Sequence, residues 1–138
     1  MDLSMMKTLK YIDCPATCFF RSGTAYSTRG GLYKLLPSSL EELTIRFEYW
    51  YGLECWGDAV SNYGDDDSAE FLWLVELASN KTEYNPQLKV LRLEDCDMTE
   101  MDNEEPRVGP WDPPLIVAET LGKAEIHFTA SVALRPSA

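Results

Sequence analysis

The chain has 138 residues and a mass of 15.7 kDa, 45% hydrophobic and 25% charged, enough for one domain whose core needs no disulfide staples. A net charge of −11 and a pI near 4.4 exclude the Lys/Arg surface that nucleic-acid backbones require, whereas an acidic surface is compatible with a basic protein partner. No apolar run approaches the roughly 20 residues of a membrane span, and the first residues lack the apolar stretch of a secretory leader, so an intracellular location, cytoplasmic or nuclear, is expected with no membrane partner.

In chain order, Leu9, Ile12 and Cys14 bracket the polar Tyr11 and Asp13, the two-residue period of a half-buried strand. Residues 1–8 read as the end of a preceding unit, which predicts a chain that starts part-way through an array with its first strand edge open. Cys18-Phe19-Phe20 is expected beneath the sheet, and 22–31 as a polar loop. Leu32, Leu35 and Leu36 then have helical spacing over about two turns, stopped by Pro37. A second strand carries Leu40, Leu43 and Ile45.

The stretch 48–67 breaks the regularity with Trp50, Tyr51, Trp56 and Tyr63, followed by Asp65, Asp66 and Asp67. A satellite core with a solvated acidic tip is the plainer expectation, a recognition loop the sharper one. The alternating ligands and closing Glu of a calcium loop are missing, so no metal is assigned. Asp67 or Ser68 caps the strongest helix, whose apolar face is Phe71, Leu74, Val75, Leu77 and Ala78. Asn85-Pro86 turns it into a third strand with Leu88, Leu91 and Leu93. A polar loop over 99–110 follows. Asp112-Pro113 predicts a helix over about 113–121 that buries Leu115 and Ala118, with Val117 and Leu121 beside them. A last strand over 124–132 alternates at Ile126, Phe128 and Ala130, and the tail after Leu134 is expected to fray.

One spacing recurs in these strands: Leu9-x-x-Ile12-x-Cys14, Leu40-x-x-Leu43-x-Ile45, Leu88-x-x-Leu91-x-Leu93 and Leu121-x-x-Ala124-x-Ile126. The copies lie about 31, 48 and 33 residues apart, against roughly 20 to 29 for a leucine-rich repeat, which the pattern resembles. Two segments, Leu36-Pro37-Ser38-Ser39-Leu40-Glu41-Glu42-Leu43-Thr44-Ile45 and Tyr84-Asn85-Pro86-Gln87-Leu88-Lys89-Val90-Leu91-Arg92-Leu93, are similar to the C-terminal leucine-rich-repeat-like region of fungal F-box proteins. The resemblance implies an α/β fold: a leucine-rich-repeat-like solenoid fragment of about four parallel strands with helical or irregular returns. It would be one domain over 1–138, part of a longer array, with 48–67 as an insertion. In that family the repeats hold the substrate of a ubiquitin ligase, and a separate F-box docks a Skp-type adaptor. The residues after Leu36-Pro37 alternate as a strand at Thr44-Ile45-Arg46-Phe47, not as an F-box helix, so a Skp-type adaptor is expected only if an F-box lies elsewhere.

Aligning the four copies predicts three outward columns: Tyr11, Glu42, Val90 and Lys123; Asp13, Thr44, Arg92 and Glu125; Pro15, Arg46, Glu94 and His127. Solenoids bind partners on such faces, so these positions are the candidate partner-binding surface for a protein or peptide. The competing expectation is a solvated face with Arg and Glu paired across strands. Chemistry finds little support. His127 is the only histidine, and no nucleophile elbow, phosphate loop or dinucleotide fingerprint is present. Cys14 and Cys18 form no redox motif, and the four cysteines read as reduced core thiols. Adjacent carboxylates such as Glu41-Glu42 face opposite ways on a strand. No catalytic residue, cofactor or metal is therefore expected. The expected function is a non-catalytic interaction module; the alternatives are a small acidic α/β enzyme with a cleft around 48–67, or a truncated remnant without activity of its own.

Overall fold

A computed structural model describes residues 2–19, 31–48, 72–96, 108–110 and 112–133. The architecture is α/β. Strands β1 (Tyr11–Pro15), β2 (Glu42–Glu48), β3 (Val90–Cys96), β4 (Val108–Pro110) and β5 (His127–Ala133) form one sheet in the order β1-β2-β3-β5-β4. The neighbours β1, β2, β3 and β5 are all parallel, and β4 is added antiparallel to the β5 edge. The helices are α1 (Leu32–Leu35), α2 (Leu72–Ser79), α3 (Lys81–Tyr84) and α4 (Leu115–Lys123), with a 3-10 turn at Ala16–Cys18 directly after β1.

The first three strands lie in the register that their leucine spacing predicts. Ile12 pairs with Leu43 and Leu43 with Leu91; Cys14 pairs with Ile45 and Ile45 with Leu93. Each strand is reached through the same turn. The Leu9, Leu40 and Leu88 N–H groups donate to the carbonyls three residues earlier, of Met6, Pro37 and Asn85, at 3.2, 3.2 and 3.1 Å. The strands are then stitched at one level. Lys10 O accepts from the Glu41 and Glu42 N–H groups, Glu41 O accepts from Lys89 and Val90, and Lys89 O accepts from His127. These bonds satisfy main-chain groups that would otherwise be lost beside the core.

Leu40, Leu43, Ile45, Phe47, Leu88, Leu91 and Leu93 have no exposed surface. They meet Leu32 and Leu36 from the α1 turn, Trp73, Leu74, Leu77 and Ala78 from α2, and Val117 and Leu121 from α4. Each such large apolar side chain is worth roughly 1.5–3 kcal/mol in burial, which outweighs the low helix-forming power of four-residue pieces like α1 and α3. Polar contacts fix the helices. Gly31 caps α1 with φ +86°, a left-handed conformation that suits glycine, and its N–H donates to Glu76 Oε1 of α2 at 2.6 Å. Lys81 Nζ donates to the Ala124 carbonyl at the end of α4, 2.5 Å away. Tyr33 and Tyr84 stack edge to face at 4.7 Å between ring centres.

Three expectations need correction. Leu121, Ala124 and Ile126 are not a fourth copy of the strand pattern. The Ile126 N–H donates to Leu121 O and the Glu125 N–H to Gly122 O, with Glu125 at φ +59°, which closes α4 in a left-handed cap. Their spacing belongs to a helix end, so β5 begins at His127 and Leu91 pairs with Phe128, not with Ala124. The second correction concerns α4, which begins at Leu115 after Pro114; Leu115 is 65% exposed and Ala118 is exposed, while Val117 and Leu121 are the buried pair. The third is β4: the 99–110 segment ends in a three-residue strand, where a surface loop was expected. Outside the described residues lie Met1, 20–30, 49–71, 97–107, Trp111 and the tail from Leu134. They include nearly all of the 48–67 insertion, its aromatics and Asp65–Asp67, Cys55, Phe71 and the α2 cap.

Candidate functional site

Side chains alternate across the strands, and the core takes only one set. Ile12, Cys14, Leu43, Ile45, Phe47, Leu91, Leu93, Phe128 and Ala130 pack with the helices. The other set forms three rows across the parallel strands: Tyr11, Glu42, Val90 and His127; Asp13, Thr44, Arg92 and Thr129; Pro15, Arg46, Glu94 and Ser131. Among the described residues no helix lies over these rows: Tyr11, Asp13, Arg92, Glu94, His127 and Thr129 are exposed, and Pro15, Glu42, Arg46, Val90 and Ser131 are half-buried. Thr44 alone is buried, at 8% exposure.

All-parallel sheets normally have both faces covered, because their crossovers lay helices on each side. Here, among the described residues, helices lie over one face of the four parallel strands and none lies over the other. The open face is the candidate functional surface.

Of the residues expected there, Tyr11, Asp13, Glu42, Thr44, Arg46, Arg92 and Glu94 stand in the expected columns. The fourth strand does not. Lys123 lies in the last turn of α4 and Glu125 in the turn after it, so neither joins the sheet. His127 is on the face but level with Val90, not with Glu94. Thr129 and Ser131 take the places expected for Glu125 and His127. Their signal was already present in the alternation of Phe128 and Ala130, which leaves 127, 129 and 131 facing outward.

Most charges near the face are matched. Arg46 Nε donates to Asp13 Oδ1 at 3.0 Å across β1 and β2. At the level where the strands begin, Glu41 lies between Lys89, 3.0 Å away, and Lys10, 3.9 Å away. The Glu41 hydrogen bond and charge hold Lys89 above the ordinary lysine range. On the covered face, burial pushes the Cys14 thiol up to about 12, assisted by the neighbouring Cys18 thiol and the Asp13 charge. Cys14 is therefore a protonated, poorly nucleophilic thiol at neutral pH.

Among the described residues no group of three or more His, Cys, Asp or Glu side chains is placed to hold a metal ion, and no helix is long and apolar enough to cross a membrane. Comparison with family models, with curated proteins and with solved structures finds no match to this chain.

Proposed function

We propose that this chain is a non-catalytic protein-interaction module of the leucine-rich-repeat-like kind, whose open parallel-sheet face holds an extended segment of a partner protein. The reading extends to the substrate-binding repeats of a fungal F-box ubiquitin-ligase component, which the two LP/NP-turn segments resemble. One observation carries it: the parallel sheet leaves a whole face of aligned side chains uncovered among the described residues, in the arrangement that repeat proteins use for binding. The recurring turns at Met6, Pro37 and Asn85 support the repeat component of the reading.

The test is selection of displayed random peptides on the full chain. Binders are expected to be lost with Val90→Lys or Thr129→Arg and kept with Glu119→Lys on the exposed side of α4, all three variants remaining folded. Binders that tolerate both face variants would overturn the proposal.

A further inference from the structure

Arg92 occupies the centre of the open face. Thr44 and Thr129 stand beside it on β2 and β5, about 4.8 Å away in strand spacing, and Val90 and Glu94 flank it along β3. The neighbouring cations are committed, Arg46 to Asp13 and both Lys10 and Lys89 to Glu41. Arg92 is exposed and has no hydrogen-bond or ion-pair partner among the described residues.

We infer that the partner segment covering this face presents an aspartate or glutamate side chain to Arg92. The inference rests on the docking reading above and adds the chemistry that the occupant must bring. A guanidinium in water is satisfied, but one covered at the middle of an interface loses its solvation on five N–H donors and on its charge at once. Main-chain carbonyls of an extended segment match donors without neutralising charge. A carboxylate does both, in the bidentate geometry that arginine favours. The hydroxyl of the exposed Thr129 is a further donor within the same row. A singly charged carboxylate also suits the site better than a phosphate dianion, since Glu42 and Glu94 stand in the adjoining rows. Those two carboxylates would in turn favour basic residues flanking the acidic one, in keeping with the net charge of −11.

The test uses the displayed-peptide binders whose affinity for the full chain falls with Val90→Lys. They are expected to share an Asp or Glu at one position. Exchanging it for Asn or Gln should weaken binding at least tenfold, Arg92→Gln should weaken it by a similar factor, and the two changes together should cost little more than either alone. Arg92→Lys should restore only part of the loss, because it keeps the charge without the fork. Face-dependent peptides without a shared acidic residue, or unchanged affinity with Arg92→Gln, would refute the carboxylate and leave the docking surface standing. If no selected peptide responds to Val90→Lys, the docking surface fails and the carboxylate with it.

Discussion

Asn85 donates through Nδ2 to the Leu36 carbonyl at 3.3 Å, with no exposed surface of its own, and so ties the turn before β3 to the turn before β2. Ser39 makes the corresponding link one strand earlier, its Oγ donating to Leu9 O at 2.7 Å. Neighbouring turns are thus joined by side chain to main chain as well as by the backbone ladder.

The Asn85 bond is the more consequential because the residue is fully buried and its Oδ1 has no hydrogen-bond partner, so Nδ2 makes the one polar contact of the amide among the described residues. Asn85→Asp, which keeps the shape of the side chain but replaces the Nδ2 donor with another acceptor, is expected to cost about 1–3 kcal/mol in urea unfolding. Ser39→Ala, at a half-buried position, should cost about 1 kcal/mol or less.

Glu125 holds φ +59° in the cap of α4, where glycine is the usual residue. Its side chain is exposed. Glu125→Gly is expected to raise stability by roughly 0.5–1 kcal/mol, since relief of the left-handed conformation outweighs the added freedom of the unfolded chain. The contrasting variant is Gly31→Ala. Beyond its two chain neighbours nothing lies within 4 Å of the added Cβ, so its expected loss of about 1 kcal/mol comes from φ +86°. Thermal or urea unfolding of both variants checks the pair.

Cys14 predicts a pH dependence. Burial raises its folded-state pKa from 9.0 to about 12, so the native chain keeps a proton that the unfolded chain releases. Its contribution is complete below pH 9 and declines from there toward pH 12. Unfolding measured between pH 8 and 11 should show a shallower alkaline decline for Cys14→Ala than for the parent chain. Alkylation at pH 8 should be slow at Cys14 until urea exposes it.

Much of the sheet was legible in the sequence because its signal is local. In the first three strands the Leu-x-x-Leu-x-Leu spacing reports a turn, an inward position and a period of two, and all three are set by neighbouring residues. The same spacing misled at Leu121, Ala124 and Ile126, since a helix end with a left-handed cap also brings residues i and i+5 inward. What separates the two cases is Glu125 at positive φ, a conformation that its residue type does not announce. The three-residue strand β4 carries no periodic pattern at all, and its pairing with β5 is a tertiary event. Exposure of the face depends on where the returns pack. Leu115, apolar yet 65% exposed, shows that hydrophobicity alone does not decide which side a helix buries.

The Arg46–Asp13 pair belongs to the face and not to the core, with side chains 38% and 66% exposed. Asp13→Asn is therefore expected to change unfolding free energy by no more than about 1 kcal/mol, whereas Leu43→Ala or Leu91→Ala, with no exposed surface, should cost about 2–5 kcal/mol.

The central claim is that the open side of the parallel sheet is the binding surface. Mapping backbone amide shifts of the full chain during titration with a selected peptide tests it most directly. The account predicts perturbations concentrated at 42–46, 90–94 and 127–131, with those of α2 and α4 unmoved. Perturbations confined to the helices, with the three central strands silent, would contradict it.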